Sequence, residues 1–563
     1  MTDHRDLSIL QDSALPKHLL QAREAAADPD QVLRATLRLV PRCGDAALLA
    51  RASALGRQPI AGRGFLTRDT LADEVTPLPE ALDAVKAFCQ QYGFTLSRTA
   101  LGGLFVTIEG KACALARAFG VAIGRYHHGD LVLRAYEGAL SLPAALAPYV
   151  RAVLGLDDLS RLAALPDASA FTEPPSLKGN LPTTVAFDYY QYPQHLTGQG
   201  TTVAFIEQDL RVDLDEIEAY YRKLGLGPVS IVLVPEWGPP KAQDDPMRPK
   251  RNGEAMMDLM LTGAVAPGAT LVGYAIVQDY GYSSDPWVDT LIAALENDKH
   301  PCSVMSISLG QPESSWSTQT ALSVNFLFAI AGLLGVTVCV ASGDFGAPGD
   351  VDNGGTYRQN CAFPASSPFC LACGGTELVL TQQGDQRVLT GEVVWNEMTE
   401  IGQKLATGGG ISTLFPVPDF QQTLTLPVPF NEGQTAGRGL PDVASNGASN
   451  SSYDVGYGTS AAAPMWAALM ALLVEGNGGT PIGYLNPRLY ELQLGGTECC
   501  KPITEGDNGP PDSNISFPAG KPWNACCGLG SPLGSSLATA LGIGATTSQR
   551  QPRRKTAVEA ASL

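Results

Sequence analysis

Between residues 201 and 344 one pattern recurs: short runs with almost no polar position, separated by longer apolar or amphipathic stretches. TTVAFIE (201–207), ATLVGYAIV (269–277), SVMSISLG (303–310) and GVTVCVASGD (335–344) are the runs. A strand without polar alternates is covered on both faces, which predicts a parallel sheet between two layers of helices. Helices are predicted over GEAMMDLMLTGAVA (253–266) and TALSVNFLFAIAGLLG (320–335). Another, apolar all round and therefore buried, is predicted over MWAALMALLVEG (465–476), with Pro464 in its first turn. Strands alternating with helices place this part of the chain in the α/β class.

The first 160 residues read differently. ATLRLVPR (35–42) alternates as a strand and LFVTIEG (104–110) reads as a second. PLPEALDAVKAFCQQYG (77–93) and KACALARAFG (111–120) have helical spacing and stop at glycine, and ALAPYVRAVLGL (145–156) reads as a further helix. Residues 1–35 are polar and Ala/Asp-rich, loosely ordered or helical. The mixture predicts a small α+β unit. A Pro- and Ser-rich stretch follows, and the chain closes on a polar, basic segment. The expected organisation is an α+β domain over 1–160, a linker over 161–185, an α/β domain over 186–546 and a disordered tail over 547–563.

Charge sharpens this division. Residues 1–175 carry 18 Lys and Arg against 19 Asp and Glu, whereas residues 176–546 carry 16 against 36. So acidic a domain repels phosphates, so no nucleic-acid partner is expected. No apolar run reaches the roughly 20 residues of a bilayer span, so no membrane partner is expected either. No basic segment followed by an apolar core opens the sequence, so retention in the cytoplasm or export by another route is expected. The twelve cysteines form neither a dense disulfide framework nor a zinc pattern; Cys370 and Cys373 make a C-x-x-C without a second pair.

Candidate chemistry centres on Gly458-Thr459-Ser460-Ala461-Ala462-Ala463-Pro464. A serine hydroxyl is a weak nucleophile and needs a base, usually histidine. Only His195 and His300 lie beyond residue 170, and neither sits in a motif. Ala462 rules out the G-x-S-x-G elbow, and the same Gly-Thr-Ser also suits a plain helix cap. Glu254 and Asp258 are four apart on a nearly all-apolar helix, so two acids project from one face. Two close carboxylates do not both ionise cheaply. Asp344 closes a strand, at the end where open α/β sheets place their functional crevice; capping of a loop is its plainer reading.

The ordered set GEAMMD (253–258), SISLGQPESSW (306–316), ASGDFG (341–346), TGGGIS (407–412), GRGLPDVA (437–444), YGTSAAAP (457–464), GYLNPRLYEL (483–492) and CGLGSP (527–532) resembles the sedolisins, the serine-carboxyl peptidases, and most of all their kumamolisin-like pro-enzymes. The resemblance implies a subtilisin-like parallel sheet flanked by helices, preceded by an α+β prodomain that acts as inhibitor and chaperone. It implies an acid-active, self-processing endopeptidase with Ser460 as nucleophile, Glu254 as general acid/base, Asp258 as its partner and Asp344 as oxyanion stabiliser. Glu207 matches an acid extending the network behind Asp258. Ser308, Leu309, Gly310 and Gly408, Gly409, Gly410 are implied to line the substrate cleft, with Tyr457 tightening it. A tripeptidyl-peptidase-like exopeptidase and a catalytically silent binding protein are the alternatives.

The family's calcium site is where the sequence departs. The corresponding positions are Pro502, Ile503, Gly520, Pro522 and Asn524, with no carboxylate among them. Calcium needs six to eight oxygens, so the ion is expected to be lost or weak and no cofactor is required. A disulfide from Cys499 or Cys500 to Cys526 or Cys527 is the expected replacement clamp. Polypeptide substrates and the chain's own prodomain are the implied partners, with a monomeric enzyme and an extracellular location.

Overall fold

The sheet expected from the apolar runs is the centre of the molecule. The computed structural model describes residues 7–129, 131–160, 179–234, 252–276, 284–349, 358–383, 386–399, 402–511 and 513–543. Strands β1 (Thr202–Glu207), β2 (Ser230–Leu233), β3 (Thr270–Ala275), β4 (Val304–Ile307), β5 (Thr337–Ala341), β6 (Leu371–Gln383) and β7 (Gln386–Val394) lie in the order β2-β3-β1-β4-β5-β6-β7. An eighth strand, β8 (Val443–Asn446), also pairs with β6. All neighbours are parallel except β6 and β7.

Alternate residues of each run feed two separate cores, which is why the runs carry no polar alternation. Val203, Phe205, Val304, Cys339 and Val443 face one core, with α1 (Gly253–Val265) and α4 (Thr459–Gly476). Ala204, Ile206, Met305, Ile307, Val338 and Val340 face the other, with α2 (Pro286–Glu296) and α3 (Thr318–Leu333). Helix α4 is long and apolar enough to cross a membrane by length and composition, but its residues form the core. At the foot of β8, Arg438 and Asp442 form a fully buried ion pair of 2.6 Å. Asp442 also accepts hydrogen bonds from Ala372 N, Asn486 Nδ2 and Tyr490 Oη. Removing either partner would leave a buried charge uncompensated, at about 3–5 kcal/mol.

The α+β unit is a four-stranded antiparallel sheet, in the order 95–100, 105–111, 32–39, 150–154, with helices Pro79–Tyr92 and Ala112–Phe119. Leu33, Ala35, Leu37 and Leu39 face its own core. Arg38, on the opposite face, lies 4.7 Å over the Phe326 ring of α3 and pairs with Asp45 at 2.8 Å. The unit is therefore docked on α2 and α3. Arg63 anchors it, its guanidinium donating to the carbonyls of Gly56, Gln58, Ile482 and Tyr484.

Several expectations are corrected. ALAPYVRAVLGL is not a helix: Val150–Leu154 is a strand paired with residues 36–39, its Val150 and Ala152 buried and Arg151 exposed between them. The first 35 residues include strands Leu7–Ile9 and Arg23–Ala26. Of the expected linker, 161–178 lie outside the described residues. Asn180 already hydrogen-bonds the 451–454 loop, and Pro182–Tyr189 is helical. The tail over 547–563 also lies outside the described residues. Helix α4 begins at Thr459, which puts Pro464 in its second turn.

Candidate active site

The side chains singled out by the sequence gather at the C-terminal ends of β1, β4 and β5 and the N-terminal ends of α1 and α4. Helix α1 starts sharply because Asn252 caps it, its Oδ1 accepting from the N–H groups of Glu254 and Ala255. Glu254 thus sits in the first turn. Asp258, one turn on, points from the same face into the protein. Gly458, the residue before helix α4, has no side chain to cap it and adopts φ +100°. Asp344 supplies the cap from the loop after β5: its Oδ1 accepts from Thr459 N at 2.8 Å and from Thr459 Oγ1 at 2.7 Å. A Cβ at position 458 would fall 2.7 Å from Asp344 Oδ2, so glycine is required for this approach.

Ser460 follows directly, 9 % exposed. Its Oγ donates to Glu254 Oε1 at 2.7 Å, with a longer contact of 3.2 Å to Ser308 O. Ser308 completes a link from the other side. Its Oγ lies 2.6 Å from Asp258 Oδ2 and 3.1 Å from Ser460 O. In an unbroken helix Ser460 O would accept from residue 464, but Pro464 has no N–H. The proline therefore leaves Ser460 O to Ser308. One serine proton serves only one of these contacts fully, whereas a proton on Asp258 allows both.

The acids behind the site are where such a proton is held. Asp258 is fully buried and its carboxyl is pushed well above the ordinary range, first by burial and then by the charge of Glu254. Glu207, 1 % exposed at the end of β1, is raised in the same sense by burial and then by Asp258. Treated as charged carboxylates, Asp258 Oδ1 and both Glu207 oxygens lack a hydrogen-bond donor. A proton on Glu207, donated to Asp258, pairs Asp258 with the Glu207 oxygen that carries it.

Ser308, Leu309 and Gly310 stand beside Ser460, with Leu309 and Gly310 partly exposed. Gly408, Gly409 and Gly410, expected to line the cleft, also pack against the protein's own atoms. All three are buried; Gly408 N donates to Gly343 O at 2.6 Å, and a Cβ on Gly408 or Gly409 would strike the carbonyl of Ser342 or Ala525. At Gly408 and Gly409 the lack of a side chain serves backbone packing beneath the Asp344 loop. Tyr457 packs with Phe345 against Trp395, Leu405 and Ala448.

The expected disulfide is absent. All four sulfurs are thiols, and those of Cys526 and Cys527 turn to different carbonyls, Phe517 O and Gly375 O. Cys370 and Cys373 are likewise buried thiols facing main-chain carbonyls. Two residues were missed as site components. Thr459 ties Asp344 to Gly343, its Oγ1 accepting from Gly343 N at 3.0 Å; the capping reading of Gly-Thr-Ser was the available signal. Pro464 is marked by the sequence only as a helix-start residue.

Comparison with known proteins agrees with this architecture. Residues 21–159 match the family model described as pro-kumamolisin, activation domain, and residues 248–488 match that of the subtilase family. Kumamolisin from Bacillus sp. (strain MN-32) is 36% identical over 488 residues, covering 83% of this chain and 84% of its own. Sedolisin from Pseudomonas sp. (strain 101) is 26% identical over 83% of this chain and 80% of its own. Tripeptidyl-peptidase sed5 from Aspergillus fumigatus is 25% identical over 93% and 95%. Among solved structures, Pseudomonas sedolisin complexed with two molecules of pseudo-iodotyrostatin superposes with a TM-score of 0.55 at 26% identity, over 65% of this chain and 98% of that one. The fold is subtilisin-like, with a mixed, mostly parallel sheet between helices.

Proposed function

The chain belongs to the sedolisin family of serine-carboxyl peptidases, as a kumamolisin-type, self-processing serine peptidase made with its prodomain, and on that premise we propose that it is an acid-active endopeptidase driven by carboxyl groups. Ser460 attacks the scissile carbonyl and Glu254 Oε1 takes its proton. The same proton is then returned to the leaving amine, and water reverses the sequence to release the acyl group. Asp258 and Glu207 supply neutral or shared-proton neighbours that let Glu254 alone carry the charge. Asp344, held by Thr459 through Oδ1, presents its other oxygen as a protonated donor to the tetrahedral oxyanion.

The observation that carries this reading is the 2.7 Å hydrogen bond from Ser460 Oγ to Glu254 Oε1. Near pH 4 an imidazole is cationic and accepts no proton, whereas a carboxylate with an ordinary pKa of about 4 does. Because Asp344 must keep its proton to act as donor, activity is confined to acid, which suits an enzyme working outside a neutral cytoplasm, as a monomer, on polypeptides. The test is a pH–activity profile on a denatured protein for the wild type, Glu254→Ala and Asp344→Ala. An acid optimum abolished in both variants supports the reading; a neutral optimum, or undiminished Glu254→Ala, refutes it. Equal cleavage of amino-blocked and free peptides supports the endopeptidase mode, and a requirement for a free amino terminus refutes it.

A further inference from the structure

The resemblance implies a calcium ion between the segments that contain Pro502 and Ile503 and residues 520–524. The residues present do not fit it. Calcium takes six to eight oxygens, carboxylates among them, and these positions offer none. Among the described residues no three His, Cys, Asp or Glu side chains gather as a metal group.

One side chain joins the same segments instead. Asn524 Nδ2 donates to Ile503 O at 3.2 Å and to Gly520 O at 2.9 Å. Its Oδ1 accepts from Cys526 N at 3.1 Å and Cys527 N at 2.9 Å. All four partners are main-chain groups of fixed polarity, so the carboxamide fits only this way round. Turned over, its oxygen would face two carbonyls and its NH2 two N–H groups. Asn524 is 6 % exposed and its neighbours Cys526 and Cys527 are fully buried, so solvent is a poor substitute for these bonds.

We propose that the Asn524 carboxamide replaces the ion, acting as a built-in neutral clamp that makes this enzyme's fold independent of calcium. Its two N–H groups do for the Ile503 and Gly520 carbonyls what a cation does by charge. A carboxylate at the same place would set an oxygen against both carbonyls, which only a bound cation makes favourable. The clamp also reaches the catalytic side. Cys526 O accepts from Thr407 Oγ1, which in turn accepts from Gly375 N. Ala525 O packs against Gly409, beside the Gly408 N–H that holds Gly343 O. Asp344 is the next residue.

The test is a thermal melt of the full-length chain carrying Ser460→Ala, which prevents self-cleavage, at pH 7 with EDTA or with calcium chloride. The parent is expected to melt at the same temperature in both. Asn524→Asp and Asn524→Ala, each added to that parent, are expected to melt lower in EDTA, by about 5 °C. A parent that melts lower in EDTA and recovers with calcium overturns the proposal, as does a pair of variants that melts with the parent. If neither variant folds, calcium titration calorimetry on the parent decides: no binding supports the clamp, and stoichiometric binding overturns it. The readout is stability, so the outcome does not depend on the proposed reaction.

Discussion

Replacing Asp344 by asparagine separates its two jobs. As a cap, Oδ1 holds Thr459 N at 2.8 Å and Thr459 Oγ1 at 2.7 Å; asparagine keeps an oxygen there. As a donor, the second oxygen must carry a proton; asparagine offers an N–H that no pH removes. Alanine loses both. Loss of one oxyanion donor costs about 10²–10³ in kcat, or about 2.7–4 kcal/mol, and the uncapped Thr459 adds about 1–3 kcal/mol of destabilisation at the head of α4. Asp344→Ala is therefore expected to lose about 10³-fold or more. Asp344→Asn is expected to retain much more, because its cap and a donor survive. The assay is kcat/KM on one quenched peptide from pH 3 to 7 for the processed enzymes. The ratio of Asp344→Asn to wild type is the quantity to read, since alkaline losses from other groups cancel in it. It is expected to rise as pH climbs above the ordinary carboxylate range and the wild type loses its proton. A flat ratio, or Asp344→Asn no better than Asp344→Ala, would refute the donor role.

Three further outcomes follow from the packing. Asp285, at the head of α2, is raised to about 6 by burial. Its proton is bound more tightly in the folded chain, so its contribution is present below its unfolded value near 4 and lost as pH rises toward 6. Asp285→Asn keeps the cap on Val288 N and is expected to raise the melting temperature of the Ser460→Ala zymogen at pH 7 but not at pH 3; equal shifts at both would contradict the burial argument. Pro464→Ala restores an N–H that competes with Ser308 for Ser460 O, so kcat should drop roughly tenfold while stability is kept or improved; unchanged kcat would show that the freed carbonyl is idle. Arg63→Ala strips donors from four carbonyls, two of them beyond the prodomain. It should destabilise the zymogen by about 2–4 kcal/mol, read by urea unfolding, and an unchanged midpoint would remove Arg63 from the anchor.

The parallel sheet was legible because burial on both faces erases polar alternation, as in the β1 run VAFI, where Val203 and Phe205 enter one core and Ala204 and Ile206 the other. Residues 150–154 were misread because their neighbours are rich in alanine and leucine, which favour helix, while the decisive alternation of Val150, Arg151 and Ala152 spans only three residues. The acids of the site could be picked out because charge on an apolar helix needs a reason. What Gly408–Gly410 do was not legible: three glycines mark a close approach but do not say whether substrate or the protein's own backbone makes it. Adjacent cysteine pairs suggested a clamp, yet the direction in which a thiol points depends on local backbone that spacing does not encode. At Asn524 the sequence told of a lost carboxylate; only the arrangement of four main-chain groups shows what the amide holds.

The central claim is that a carboxylate, without imidazole, activates Ser460. Its most direct test is covalent trapping: the processed enzyme is treated with a fluorophosphonate across pH 3 to 8, and the modified peptide is identified by mass spectrometry. Labelling at Ser460 that is fastest in acid and falls at least about 10²-fold in Glu254→Gln is the expected result. Labelling at another residue, or at Ser460 with a rate that climbs toward pH 8 and ignores Glu254→Gln, would contradict the account.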